Sequence, residues 1–525
     1  MTPTGFTHPL ALGLYGALLA TSAALAGPPP SFKRKAFGVS FPDGTTGSRV
    51  AFGDVDRDGD PDVLLNGKLY LNDGQGKFSF APRSGLSGSR AALWLDYDKD
   101  GDLDVFLSGH GVGVDRLMRN DTPKGGKPVF VDVSQRVGAI SDGLPGEGLA
   151  AGDLNGDGYP DLFVANYELG ALANGTLDRL YLSNGQGGFV NRWDLVRSGL
   201  CGRGANIADF DLDGDLDIFV SNYRIQSNVL WVNQRRQTGR TSFTNELTVR
   251  GLGTVPLGHT IGSAWGDLDN DGDMDQVQAN LAHPWARHYS ERTQVFLQGA
   301  NRVFAKTTAG IKYEETHSNP TLFDADNDGD LDLYLTSIYG GRPGFLYRNR
   351  VIEDERMYFR DCTELAKART YDGWGAAAAD VDGDGDLDMV VCAGNRPVLL
   401  INQCDTSRFR SVRLRLHGRT SDTWGAGATV TLSGGGAERQ VRQLNLGHGT
   451  SSQSEPILHF GVGRAAGPFQ LEIRWPSGKV STRRVEAGMR HAWEPKGANP
   501  ALPLAPTTHP GITPYSPDWI REGGR

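Results

Sequence analysis

Several familiar signatures are missing from this sequence. It contains no His-Glu-x-x-His, no Gly-x-Ser-x-Gly and no phosphate-binding glycine loop, so the common metalloprotease, serine-hydrolase and nucleotide-binding readings find no foothold. It has no basic block and no RNA-binding signature, which argues against a nucleic-acid partner. Beyond residues 10–26, no apolar run approaches the length of a membrane-crossing helix, so no stable membrane span is expected. Cysteine is sparse, at Cys201, Cys362, Cys392 and Cys404 among 525 residues. Sequence leaves their pairing open: a bridge among the last three and buried free thiols are both compatible with it.

Residues 10–26 end in Ala24-Leu25-Ala26, a small-x-small pattern followed by Gly27 and three prolines. This reads as a signal peptide over residues 1–26, and the mature protein is expected to be secreted, periplasmic or at the cell surface. No cysteine follows the leader, which argues against a lipoprotein.

Glycine and aspartate are what the chain has in quantity, and they come in a pattern. Seven copies of Asp-x-Asp/Asn-x-Asp-Gly-x-x-Asp begin at Asp54, Asp96, Asp153, Asp209, Asp267, Asp324 and Asp380. After a first gap of 42 residues the spacing is 57, 56, 58, 57 and 56, a period that means a repeat architecture. Positions 1, 3, 5 and 9 supply oxygen side chains. In the first two copies these are Asp54, Asp56, Asp58 and Asp62, then Asp96, Asp98, Asp100 and Asp104. The third has Asp153, Asn155, Asp157 and Asp161, and the fourth Asp209, Asp211, Asp213 and Asp217. The last three have Asp267, Asp269, Asp271 and Asp275; Asp324, Asp326, Asp328 and Asp332; and Asp380, Asp382, Asp384 and Asp388.

All-oxygen, carboxylate-rich coordination suits Ca²⁺, because Mg²⁺ prefers a smaller octahedral shell and Zn²⁺ prefers nitrogen or sulfur. Glycine at position 6 permits the sharp turn. An EF-hand would need glutamate at position 12, where these copies carry Leu65, Leu107, Val164, Val220, Gln278, Leu335 and Val391. The ring is therefore expected to close within nine residues, with about seven structural Ca²⁺ per chain on the count of copies. Seven such ions would move the formal charge from −9 to +5. A single copy also reads as an acidic turn without metal; the regular set of seven does not.

Each loop runs into a short β-rich stretch such as Asp217-Ile218-Phe219-Val220. One repeat reads as four antiparallel strands, the unit of a propeller blade. The seventh repeat lacks a fourth strand of its own, and residues 31–41, with Phe32 and Phe37, are expected to supply it and close the ring. The fold class is all-β: a seven-bladed propeller over residues 31–404, a small β-sandwich over 408–495, and a Pro-rich tail over 496–525.

These repeats resemble the FG-GAP or VCBS family, the integrin-α type of calcium-loop propeller. Gly425-Ala426, Ser452-Gln453-Ser454-Glu455-Pro456, His459-Phe460-Gly461-Val462-Gly463 and Trp475-Pro476-Ser477-Gly478 are similar to the ASPIC and UnbV domain that follows such repeats in cartilage acidic protein relatives. The resemblance implies no settled activity.

In a propeller the calcium loops share one face, which assigns the longer, more aromatic connections to the other. Arg203, Tyr223, His259, His283, Trp285, His317, Tyr339 and Trp374 are the candidate ligand-binding residues there, with Arg203, His259, His317 and Trp374 expected around the channel. The sequence thus points to a secreted calcium-binding adhesion module for an extracellular protein or polysaccharide. The alternative is an enzyme acting on carbohydrate or a small metabolite at the channel mouth. The loop carboxylates are committed to cation binding and are poor acid–base groups.

Overall fold

The computed structural model describes residues 28–36, 49–109, 114–138, 143–168, 175–253, 258–282, 291–394 and 396–497. The signal peptide, residues 37–41, His283, Trp285 and residues 498–525 lie outside the described residues.

Seven four-stranded antiparallel sheets follow one another as blades. The first is Val50–Gly53, Asp62–Leu65, Lys68–Asn72 and Phe78–Phe80. Its two inner strands are buried throughout and rich in β-branched and aromatic residues, whereas Phe78–Phe80 lies partly in solvent. Sequence and burial therefore grade together from the axis outward. In blade 7 the inner strand Gly373–Ala379 carries Ala376 to Ala379 in succession, small side chains that suit the crowded axis.

Blade 7 is completed from the other end of the chain. Phe32–Ala36 pairs antiparallel with Arg396–Asn402, setting Phe32 opposite Asn402, as the orphan phenylalanine suggested. Phe32 is buried in a cluster with Tyr334, Leu346, Met389 and Leu400 of blades 6 and 7, so it anchors the closing strand by apolar burial as well as pairing.

A second bond system ties blade to blade. The position-9 aspartate accepts backbone N–H groups from position 2 of its own loop and from its third strand: Asp62 from Val55 and Asn72, Asp332 from Ala325 and Asn349, Asp388 from Val381 and Asn402. The third-strand residue then donates its side-chain amide to the position-2 carbonyl of the preceding blade. Asn120 reaches Val55, Asn233 reaches Leu154, Gln298 reaches Phe210, Asn349 reaches Leu268, Asn402 reaches Ala325, and Asn72 of blade 1 reaches Val381 of blade 7. Blade 3 has Ser183 at that position and departs from the pattern.

The carboxy-terminal domain is a sandwich. One sheet is ordered Ala437–Gln443, Thr429–Gly434, Phe469–Arg474, Val480–Val485, and the other Leu458–Gly463, Arg410–His417, Gly488–Trp493. Alternating residues such as Val412, Leu414 and Leu416 meet Val430, Leu432, Leu471 and Ile473 in a shared core. All four cysteines are free, three of them buried, so the chain adopts the thiol alternative.

Candidate calcium face and opposite channel mouth

In loops 2, 3, 4, 6 and 7 the position-1 carboxylate caps the turn. Asp96 accepts from the Asp100 and Gly101 amides, Asp324 from Asp328 and Gly329, and Asp380 from Asp384 and Gly385. Gly329 sits at φ +104°, a region an L side chain rarely adopts. The loops gather aspartates into tight groups, among them Asp54, Asp56 and Asp58; Asp96, Asp98 and Asp104; Asp209, Asp211 and Asp217; Asp267, Asp269 and Asp271; Asp324, Asp326 and Asp332.

The loops fit Ca²⁺ on chemical grounds. Buried carboxylate oxygens with neither a hydrogen-bond nor an ion-pair partner remain in loops 1, 2, 4, 5 and 7: on Asp54 and Asp56, Asp98, Asp211 and Asp217, Asp267, and Asp382. Burial, followed by neighbouring carboxylates, pushes Asp56 up to about 6 and Asp269 up to about 8. A hard cation would neutralise the negative charge that remains in such a cluster. Loop 3 differs, because the Asn155 amide itself donates to Asp157, Asp161 and the Ser183 carbonyl.

This face is covered by the carboxy-terminal domain, which touches every loop. Arg415 lies 3.4 Å from Asp54, Lys99 of loop 2 donates to the Ser421 carbonyl, and the Thr420 carbonyl packs on Gly158 of loop 3. Gln443 brackets Asp209, Arg439 abuts Gly272 of loop 5, Gly461 donates to Asp324, and Arg413 joins Asp380 to Glu455.

From that domain residues 446–455 enter the channel as a plug. The Gln453 backbone pairs with Val50 and Phe52 while its side-chain amide pairs with both backbone groups of Trp94. Ser451 bonds Leu149, Gly449 donates to Ser263, the Thr450 N–H donates to the Asn319 side-chain oxygen, and Ser454 and Glu455 hold Ala378. Six blades are thus hydrogen-bonded to one segment. In blade 4 the approach is closer still: a Cβ on Gly204 would collide with the Gly449 carbonyl oxygen, so glycine is required there. The Ser-Gln-Ser-Glu-Pro motif was visible in sequence, but its seat inside another domain was not.

At the opposite mouth, Glu147 is fully buried and bound by three guanidiniums, Arg49 at 2.8 Å, Arg90 at 2.7 Å and Arg203 at 3.3 Å. Burial raises the Glu147 carboxyl, yet Arg203, Arg49 and Arg90 together hold it below the usual carboxylate range. Arg203 lies 3.6 Å over the Tyr167 ring and also faces Tyr223 and Trp374; Tyr223 stacks on His259 at 3.9 Å. The structure therefore gathers Arg203, Tyr223, His259 and Trp374, and Tyr339 interacts with Tyr223 while half exposed. His317 does not join them. Its ring is fully buried against Thr293 at 2.8 Å and edge-on to Phe345, and burial followed by Arg292 lowers it to about 3. The first residue of an inner strand can turn into the blade interface as readily as into the channel, and periodicity does not distinguish the two.

FG-GAP-like repeats match residues 96–164, 153–220, 209–277 and 324–391, and the ASPIC and UnbV domain matches 418–494. The protein is an FG-GAP-repeat β-propeller with a carboxy-terminal ASPIC and UnbV domain. It is similar to cartilage acidic protein 1: 25% identical to the Mus musculus protein over 483 residues, 83% of this chain and 71% of that one. The Xenopus tropicalis and Homo sapiens proteins are each 26% identical, over 66% and 68% of this chain; the chain spans 54% of the length of each. Among solved structures it is similar to an Agrocybe aegerita lectin that recognises non-reducing terminal N-acetylglucosamine, at 16% identity and TM-score 0.38, covering 60% of this chain and 79% of the lectin.

Proposed function

We propose that the protein is a secreted binding or adhesion module in which Ca²⁺ fixes the loop turns and the face away from the loops engages an extracellular protein or polysaccharide. The observation that carries this reading is the covered loop face: the carboxy-terminal sandwich occupies it and its plug fills the channel. Recognition is left to the other mouth, where Tyr339 is half exposed and Arg224, paired with Glu168, is partly exposed beside Tyr223. Aromatic faces with flanking guanidiniums and carboxylates suit sugar stacking and polar protein contacts alike. The enzyme alternative ranks second because Glu147 is tied to three arginines and held ionised, which makes it a poor proton-transfer group.

The test is a glycan and matrix-protein binding screen of the calcium-loaded protein, repeated with Tyr339→Ala plus Arg224→Ala. Binding lost in the variant at unchanged melting temperature supports the reading. Binding indifferent to that face overturns it. Metal analysis with melting in calcium and in chelator tests the cation: melting should rise with free calcium, since a ligand held by the folded state stabilises it by mass action.

A further inference from the structure

The sixth loop has the full set of four aspartates, yet it contains a cation already. Arg348, the last residue of the strand Phe345–Arg348, turns its guanidinium into the loop. Its Nε lies 2.6 Å from Asp326 Oδ2, and its Nη2 lies 2.9 Å from Asp328 Oδ2 and 2.7 Å from Glu353 Oε1. The side chain is 10% exposed and the two aspartates are sealed. At the same place in the other blades, one residue before the interblade amide or, in blade 3, before Ser183, stand Leu71, Leu182, Val232, Leu297 and Ile401. Blade 2 has Arg119, but that guanidinium pairs in bidentate fashion with Asp121, outside its loop.

The surroundings of loop 6 differ as well. Residues 323–332 are buried without interruption, whereas Asp58 of loop 1 and Asp157 of loop 3 are exposed. Gly461 and Arg442 of the carboxy-terminal domain close over it, the first donating to Asp324 and the second to the Gly329 carbonyl. A guanidinium is charged at any working pH and its planar fork matches carboxylate pairs, so it neutralises buried aspartates without leaving the chain.

We infer that Arg348 is the resident cation of loop 6, standing in for Ca²⁺ at a copy that the sequence pattern alone would count as a metal site. Arg415, Arg302 and Arg413 each reach one aspartate of loops 1, 4 and 7, whereas Arg348 takes two ligand positions of loop 6 at once, Asp326 and Asp328, so that a divalent ion there would meet like-charge repulsion and lack two of its ligands. The inference rests on the reading that other loops bind Ca²⁺.

The experiment counts Ca²⁺ per chain, by elemental analysis after equilibrium dialysis, for the wild-type protein, Arg348→Leu and Asp326→Asn. Leucine is the residue of blades 1, 3 and 5 at this place. Arg348→Leu should bind one more ion than wild type and show a larger melting shift between chelator and calcium. Asp326→Asn in the wild-type background should leave the count unchanged. A count that falls by one in Asp326→Asn overturns the inference, as does no gain in Arg348→Leu. If Arg348→Leu fails to fold even in calcium, Asp326→Asn alone decides. A wild-type protein without bound Ca²⁺ defeats the calcium reading instead, and a gained ion in Arg348→Leu would still register separately.

Discussion

Asn72 in the first blade and Val381 in the seventh are 309 residues apart in sequence, yet the Asn72 side-chain amide donates to the Val381 carbonyl at 2.8 Å. The bond repeats a geometry found between successive blades, so the seam between the first and the last blade is built like the junctions that need no closure. Asn72→Ala would strand a buried carbonyl and should cost about 1–3 kcal/mol in urea unfolding. Removing residues 28–36 should cost more, because Phe32 leaves the core with its strand.

The docked sandwich depends on buried charge pairs. Arg413 bonds Asp380 at one end and Glu455 at the other, with its side chain 11% exposed. Arg413→Ala leaves two buried carboxylates unpaired, a change that typically costs about 3–5 kcal/mol. Limited proteolysis followed by mass analysis should show faster cleavage in residues 403–409, which join the two domains, than in the wild-type protein.

Acid should loosen the plug. His448 bonds Ser454 within it, and burial lowers the imidazole to about 4 from an ordinary 6.5. The folded state therefore favours the neutral ring. That contribution is complete above about pH 6.5 and is lost as pH falls through about 4, amounting to about 3 kcal/mol. In His448→Gln the melting temperature should fall less between pH 6.5 and 4 than in the wild-type protein.

The thiols should be silent in the native state. Burial pushes Cys392 up to about 12 and raises Cys362 further, and a protonated thiol is a poor nucleophile. A thiol-reactive disulfide reagent should titrate four groups after denaturation, with Cys362 and Cys392 unreactive beforehand. Fewer than four in the denatured, unreduced protein would reveal a bridge.

The blades were legible in sequence because their signals are local: a turn glycine, alternating aspartates and a β-branched run all fall within one repeat. The closing strand was legible too, since a blade one strand short and an orphan Phe32 at the other end imply each other. Long-range contacts were not. Asn72, Asn120 and Asn349 stand at the ends of largely apolar third strands, but an amide reaching the preceding blade leaves no periodic trace. His317 was placed by its distance from a strand, which does not report which way a ring turns. Arg348 looks from sequence like any strand-end arginine, and only packing reveals the carboxylates it serves. Gly204 carries a weak signal, because a glycine in an inner strand often marks a close backbone approach.

The pairing of Phe32–Ala36 with Arg396–Asn402 also sets a timetable. Phe32 meets Asn402, 370 residues later in the chain. At ribosomal speeds of about 5–20 residues per second, the first strand waits roughly 20–75 s for its partner to be made. The plug, 446–455, emerges later still, after the last blade that forms its socket. The assembly is thus finished in reverse of the usual order of synthesis: the first strand of the propeller to be made is nearly the last to be paired, and an unsealed ring must be kept from pairing with its neighbours until it is.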